Sequence, residues 1–337
     1  MIVQKLKRAS LKALDNAVIG RLLARITSSR CVILMLHRFS SPDGTFTGHD
    51  PKCLHALLDY FHRAGIKLAA LDEVVESLAN GDDSVLQQGP VVIFTVDDGY
   101  ADFLDVGMPV FRHFDCPVTS FIVPSVIDQA IWFWWDQIDW IQRQTTHATL
   151  RVDLGSRPLL IECADPVERK KSYADLCEQV RSISTAQLIA AINQLSVAAE
   201  VPIPVKAPDE YRVATWQELR SAEGRGIRFG AHSMTHPILS RCSDDQATHE
   251  ILDSVERVRI EIKQPSSVFC YPVGCPISFG EREISIARRA GMSGALSTVP
   301  GYLTRQSART ADMNWLWRIP RIGYEERQGA MARIALL

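Results

Sequence analysis

The stretch Val91-Val-Ile-Phe-Thr-Val-Asp-Asp-Gly99 joins six apolar or β-branched residues to two adjacent aspartates. A continuous run of this kind, preceded here by Gly89-Pro90, is typical of a parallel strand that is buried on both faces. The aspartates then stand at the carboxyl end of a strand, where the active sites of α/β barrels lie. An Asp-rich turn that only closes a strand is the alternative, because Asp-Gly is common in turns.

Strands and helices alternate on both sides of this stretch. Further strands are predicted at 31–36, 118–123, 227–231, 267–271, 294–297 and 316–319, and helices at 51–64, 71–78, 103–114, 215–224, 243–262 and 281–290. Such alternation favours parallel βα units. About seven core strands predict an α/β fold, specifically an incomplete (β/α) barrel.

The alternation is interrupted between about residues 131 and 210. This stretch is polar, with predicted helices at 166–181 and 185–199, and a proline-rich segment marks its end. We predict that it is a helical insertion in one barrel domain of residues 31–337. The length of 337 residues would also allow two domains.

The composition is that of a globular protein, with 46% hydrophobic and 23% charged residues and a net charge of -2. This near-neutral balance lacks the basic footprint of a nucleic-acid-binding protein, so no nucleic-acid partner is expected. The eight cysteines form no C-x-x-C pair, and charges interrupt the N-terminus too often for a secretory signal. We therefore expect a cytoplasmic protein with reduced cysteines.

Residues 1–30 differ from the rest, since they carry seven basic residues against Asp15 alone. Apolar residues recur there at three- and four-residue steps, as in an amphipathic helix. Such an arm could contact the inner face of an anionic membrane, or it could dock on its own domain. Both interpretations stay open.

A second cluster, His232-Ser-Met-Thr-His236, again follows a predicted strand. Two histidines four residues apart on a turn can bind one metal ion, although surface histidines share this spacing. Two histidines with one carboxylate form an open divalent site. Of Asp97 and Asp98, one would then be a ligand and the other a base for water. His37, at the end of another strand, is a candidate for the acid that a base requires.

Three blocks in this order resemble the polysaccharide deacetylases with a NodB-homology domain. Thr95-Val-Asp-Asp-Gly99 is similar to their T-F-D-D-G motif, His232–His236 to H-[ST]-x-x-H, and Phe269-Cys-Tyr-Pro-Val-Gly274 to a third block ending in Pro-x-Gly. The resemblance extends from strand 31–37 to Tyr324. It implies a distorted (β/α)7 barrel that hydrolyses an N-acetyl group on a sugar.

The resemblance also implies roles for individual residues. Asp97 would be the general base, and the metal ligands would be Asp98, His232 and His236. The metal would be a divalent ion, usually Zn²⁺. The backbone N–H of Val273 would help to hold the oxyanion.

Two positions depart from the family pattern. Cys270 stands where many members have an arginine that orients the base, so Arg318 or Arg321 is a candidate replacement, unless these form only a structural ion pair. No C-terminal L-x-x-H block is present, but Leu34-Met-Leu-His37 matches it, as in a circularly permuted subgroup. His37 would then be the general acid; packing under the barrel mouth is its alternative.

Aromatic residues complete the set of candidates. Among the tryptophans that open the insertion, Trp132, Trp134 and Trp135 could stack on sugar faces or anchor a core. Tyr271 and Arg321 are further candidates for substrate contact.

Together these features predict a metal-dependent deacetylase of an N-acetylated amino sugar in the assembly of bacterial surface polysaccharide. The substrate would be nucleotide-linked or polyprenyl-lipid-linked. The alternatives are an amidohydrolase of a non-sugar amide and a non-catalytic carbohydrate-binding relic.

Overall fold

The computed structural model describes residues 30–324 except 45, 88, 154–157, 181, 182 and 184. The basic arm predicted at residues 1–30 therefore lies outside the described residues, apart from Arg30. The chain divides into two compact units. Unit 2 is Asp128–Tyr211, and unit 1 consists of the segments on either side of it.

In chain order the strands are β1 (Arg30–Leu36), β2 (Lys67–Leu68), β3 (Val91–Val96), β4 (Val118–Ile122), β5 (Thr149–Asp153), β6 (Pro158–Glu162), β7 (Ile227–Ala231), β8 (Val268–Cys270), β9 (Gly294–Leu296), β10 (Leu303–Thr304) and β11 (Ile322–Gly323). The α-helices are α1 (Pro51–Ala64), α2 (Leu71–Ala79), α3 (Met108–His113), α4 (Pro124–Ile127), α5 (Trp134–Gln144), α6 (Pro166–Val180), α7 (Thr185–Ala198), α8 (Trp216–Ala222), α9 (Asp244–Glu261), α10 (Glu281–Arg289) and α11 (Arg305–Arg309).

The centre of unit 1 is a parallel sheet in the order β1-β3-β4-β7. All six residues of β3 are buried, which is why its sequence lacks polar alternation. Burying each large aliphatic side chain contributes about 1.5 to 3 kcal/mol, so this strand is a main source of stability. Its position also directs Asp97 and Asp98 to one edge of the sheet.

Strands β8 and β9 form a separate parallel ladder. A few backbone hydrogen bonds link it to its neighbours. Ser266 N–H donates to the Phe229 carbonyl at 2.8 Å, Ile319 N–H donates to the Ala295 carbonyl at 2.9 Å, and Ser297 N–H donates to the Ile319 carbonyl at 2.8 Å. Strand β11 pairs in parallel with β1. The predicted α/β barrel class is confirmed, although continuous ladders do not close the ring among the described strands.

The last predicted strand, 316–319, is wrong except at Ile319, which forms a single parallel bridge with Leu296 of β9. The chain forms a 3₁₀ helix at Met313–Trp317, which the Asp312 side chain caps by accepting the Asn314 N–H at 2.9 Å. The side chains of Leu316 and Trp317, which lie on this helix, are buried. A short apolar run is compatible with a strand or with a helical turn, and the cap formed by Asp312 favours the helical turn.

Helix 103–114 also differs from its prediction, because it begins with a π-helical turn at Phe103–Gly107 before α3. A Cβ atom on Gly107 would lie 2.7 Å from the Phe39 ring, so only glycine allows this close contact.

Unit 2 contains an antiparallel hairpin, β5–β6, and helices α5, α6 and α7. The hairpin was not predicted. The unit has its own hydrophobic core, whose large aliphatic members are Ile138, Ile141, Leu150, Val152, Ile161, Leu176, Ile192 and Leu195. These residues come from the hairpin and all three helices, so both kinds of element are needed for this core.

No helix in the described part of the chain is both long and apolar enough to cross a lipid bilayer.

Candidate active site

Polar side chains follow the carboxyl ends of parallel strands in unit 1. His37 comes directly after β1, Asp97 and Asp98 after β3, and His232 after β7. Because the carboxyl ends of parallel strands share one edge, these groups are brought together there. The structure therefore assembles one site from segments that are far apart in the sequence.

Asp98, His232 and His236 form a cluster that we call the Asp-His-His triad. The Asp98 Oδ1 atom lies 3.8 Å from His232 Nε2 and 3.7 Å from His236 Nε2. Ligands of a tetrahedral zinc ion, with bonds near 2.0 to 2.1 Å, are about 3.3 Å apart. The two Asp98 distances exceed this value by only a few tenths of an ångström, and the ligand atoms of all three residues lie within 4.8 Å of one another.

The histidines of the triad are prepared as metal ligands. His232 Nδ1 lies 2.8 Å from the Cys270 carbonyl, which leaves Nε2 as the atom that faces Asp98. Burial lowers the pKa of His232 to about 4 and that of His236 well below its usual value. Both rings are therefore neutral near pH 7, as metal binding requires. The residues present fit a divalent metal ion.

The backbone of the site is strained. Asp98, Ser233, His236 and Val273 all have left-handed φ angles, of 79°, 62°, 60° and 62°. Such conformations cost on the order of 1 to 3 kcal/mol each and cluster at functional sites. Gly274 cannot be replaced without a clash, because a Cβ would lie 2.9 Å from the Thr298 nitrogen.

Asp97 is buried beside the triad and is held by Arg321. The Arg321 Nη1 donates to Asp97 Oδ1 at 2.8 Å, and the Cys270 Sγ lies 3.7 Å from Oδ2. Burial alone would raise the pKa of Asp97, but the charge of Arg321 and its hydrogen bond outweigh this effect and hold that pKa well below its usual range. Asp97 is therefore ionised at neutral pH.

Arg321 is itself fixed by its neighbours. It is 1% exposed, and it donates to the Ser297 carbonyl at 3.0 Å and to Thr95 Oγ1 at 3.2 Å. Arg318, the other candidate, instead pairs with Glu281 at 2.8 Å in an exposed ion pair. The structure thus places Arg321 on Asp97 and Arg318 on the surface.

His37 lies within electrostatic reach of the same groups. Burial lowers its pKa, while the Asp97 charge opposes this and the Arg321 charge adds to it. Asp102 anchors the chain after His37, since it accepts hydrogen bonds from Arg38 Nε at 2.8 Å and Phe39 N at 2.9 Å. This buried contact fixes the end of β1 against the loop that carries the aspartates.

His49 is a neighbour of His37 that no sequence motif identified. It is half-buried, and burial followed by the charge of His37 lowers its pKa to about 4. Its ring contacts Phe39 and Tyr324. No local pattern marks His49, because these partners are joined only by folding.

The third block supplies one half-buried backbone donor and one buried ring. The N–H of half-buried Val273 has no hydrogen-bond partner among the described residues, and its carbonyl accepts from Thr298 Oγ1 at 2.8 Å. Tyr271 is fully buried and stacks on Phe279 with ring centroids 3.9 Å apart. Val273 can donate to a ligand, whereas Tyr271 packs in the core.

The tryptophans belong to unit 2 and pack within it. Trp132 is buried, and its Nε1 donates to the Pro204 carbonyl at 3.1 Å. Trp134 packs against the unit 2 core and lies edge-on to Trp135, which stacks on Phe133. These contacts explain the cluster as packing within the unit.

Comparisons with known proteins agree with this fold. Residues 180–295 match the sequence profile of the polysaccharide deacetylase family. Among curated proteins, no sequence relative matches. The matched residues make up about a third of the chain and include the second and third motif blocks, so the match agrees with the resemblance that the motifs show.

Two solved structures share the fold at low identity. One is the Streptococcus pyogenes deacetylase PplD in complex with acetate, with 17% identity and a TM-score of 0.56, covering 91% of this chain and 98% of PplD. The other is IcaB from Ammonifex degensii, with 14% identity and a TM-score of 0.53, covering 92% of this chain and 98% of IcaB.

Proposed function

We propose that this protein is a divalent-metal-dependent hydrolase that removes an N-acetyl group from an amino sugar of a bacterial surface polysaccharide. The observation that carries the proposal is a buried, ionised carboxylate, Asp97, beside the Asp-His-His triad, with His232 Nε2 4.0 Å from Asp97 Oδ2. A base next to a metal site is the arrangement that amide hydrolysis by water requires. The metal would be Zn²⁺, which accepts two imidazoles and one carboxylate.

Asp98, His232 and His236 would hold the ion, which supplies Lewis acidity: it lowers the pKa of water and polarises a carbonyl oxygen. Asp97 accepts a proton from the attacking water through Oδ2. Arg321 is bound to Oδ1, so it fixes the carboxylate and leaves Oδ2 directed toward His232. The water oxygen forms a bond to the acetyl carbon, and the carbonyl oxygen becomes negatively charged.

The Val273 N–H donates to this oxyanion. His37 then donates a proton to the amide nitrogen as the C–N bond breaks; it does so in its protonated form, which burial opposes and the Asp97 charge favours. The products are acetate and the free amine. The solved structure of PplD with acetate supports acetate as the product of a deacetylase with this fold.

The decisive experiment is an assay for acetate release by the Zn²⁺-reconstituted protein. Oligosaccharides of N-acetylhexosamine, nucleotide-linked and polyprenyl-linked N-acetyl sugars, and a small cyclic amide serve as parallel substrates. Release of acetate only from the sugars supports the proposal. Hydrolysis of the cyclic amide alone would replace it with the amidohydrolase alternative, and failure of the purified protein to bind a divalent ion would favour the non-catalytic relic.

We further propose that the sugar is carried on a nucleotide or a polyprenyl lipid at the cytoplasmic face of the membrane. The support is the net charge of +6 of residues 1–30. Sedimentation with anionic vesicles tests this, with neutral vesicles as the control. The test variant reverses three charges: Lys5→Glu, Lys7→Glu and Lys12→Glu. If this variant binds anionic vesicles as wild type does, the support for membrane contact is removed.

A further inference from the structure

The turn between the two histidine ligands is held by a carboxylate from another element. Glu250 lies on α9 and is 7% exposed. Its Oε2 accepts the backbone N–H of Thr235 at 2.8 Å, and its Oε1 accepts the Thr235 hydroxyl at 2.6 Å. Its backbone carbonyl also accepts the Met234 N–H at 3.0 Å.

These contacts fall on the part of the turn that carries the strain. Ser233 and His236 both have left-handed backbones, and the His236 N–H donates to Ser233 Oγ at 3.1 Å. Left-handed non-glycine residues persist only where their surroundings enforce them. Glu250 binds the two residues between these strained positions, so it supplies that constraint.

The geometry of the contact limits motion in two ways. One carboxylate oxygen fixes the Thr235 backbone and the other fixes its side chain, so Thr235 cannot rotate without losing a bond to a buried charge. Hydrogen bonds to charged groups are about twice as strong as neutral ones. Because His236 follows Thr235 directly in the chain, the same hydrogen bonds also fix the direction in which the His236 imidazole points toward Asp98.

We infer that Glu250 is a positioning residue for the metal ligand His236: through Thr235 it holds the His232–His236 turn in the ligating conformation. The inference rests on the proposed metal function of the triad. It assigns Glu250 no contact with metal or substrate. Removing a contact that orients a metal ligand without touching the metal typically lowers metal affinity or activity 10- to 100-fold.

The test is Glu250→Gln, which keeps the size of the side chain but replaces one acceptor oxygen with an amino group. We expect Zn²⁺ affinity, measured by competition with a chromogenic chelator, to fall about 10- to 100-fold. At saturating Zn²⁺ we expect kcat to recover to within about tenfold of wild type, because the ligands themselves are intact. The matched control is Glu256→Gln, an exposed glutamate on the same helix, which should keep wild-type affinity.

A second variant separates positioning from general stability. Thr235→Val removes the hydroxyl contact and keeps the charge-assisted backbone contact, whereas Glu250→Gln removes the charge that strengthens both contacts. The loss of affinity in Thr235→Val should therefore not exceed that in Glu250→Gln. The melting temperature of each metal-free variant is measured in parallel. If Glu250→Gln lowers this temperature but binds Zn²⁺ as wild type does, the residue is only structural and the inference is overturned. If wild type itself binds no divalent ion, the proposed function fails instead.

Discussion

The two halves of the site are built in different ways. The Asp-His-His triad takes two of its ligands from one five-residue turn, whose strained backbone is fixed by Glu250. The proposed base, Asp97, depends instead on Arg321, which lies 224 residues away in the sequence and meets it in a fully buried ion pair. Metal ligation is thus largely a local property of short motifs, while the charge and orientation of the base come from long-range packing.

The largest effect should come from removing the metal. We expect chelation by an excess of a strong chelator to abolish acetate release, because the triad then supplies no Lewis acid. Activity should return on adding Zn²⁺ after dialysis, as followed by acetate production and metal analysis. Full activity in a protein shown to be metal-free would contradict the assignment of the triad.

The next largest effect is expected when Asp97 alone can no longer accept a proton. Asp97→Asn should lower kcat at least about 10²-fold, because the amide cannot accept a proton from water. The bound metal should be retained, since Asp97 is outside the triad, and metal content is measured together with the rate. Near-normal turnover in this variant would assign the base elsewhere.

Breaking the long-range pair should cost stability as well as rate. Arg321→Met leaves the Asp97 charge buried without its partner, which we expect to lower the free energy of unfolding by about 3 to 5 kcal/mol. Denaturant unfolding of the metal-free protein measures this. The control is Arg318→Met, whose exposed pair with Glu281 should contribute no more than about 1 kcal/mol.

The same pair predicts a pH dependence. Arg321 holds the pKa of Asp97 in the folded protein below its usual range. The pair therefore stabilises the fold fully at pH values above the pKa of about 4 that Asp97 has in the unfolded chain. This contribution is lost as the pH falls toward the pKa of Asp97 in the folded protein. The difference between wild type and Arg321→Met should therefore shrink below about pH 4. A constant difference across that range would show that the loss is not due to the ion pair.

The smallest effect is expected at Cys270. Its thiol lies 3.7 Å from Asp97 Oδ2, a weak contact compared with the 2.8 Å bond from Arg321. Cys270→Ala should therefore keep kcat within about tenfold of wild type. A loss as large as that of Asp97→Asn would show that the thiol, rather than Arg321, orients the base.

Much of the fold could be predicted because its signals are local. Buried parallel strands such as β3 and β7 are short runs of apolar residues bounded by turns, and the structure has them at the predicted positions. The hairpin β5–β6 was missed because its strands are interrupted by charged residues and are stabilised by the core of unit 2. The strand at 316–319 was wrong except at Ile319, because capping by Asp312 outweighs an ambiguous apolar pattern.

The candidate site divides in the same way. Sequence by itself determined the residue types and their spacing: two carboxylates after a strand, two histidines on one turn and a histidine at the end of β1. Tertiary structure alone decided that Arg321 rather than Arg318 meets Asp97, that Glu250 holds the histidine turn and that Tyr271 is buried. The physical reason is that ligand spacing depends on backbone geometry over a few residues. Burial and ion pairing, which set the charge of Asp97, depend on segments that meet only in the folded chain.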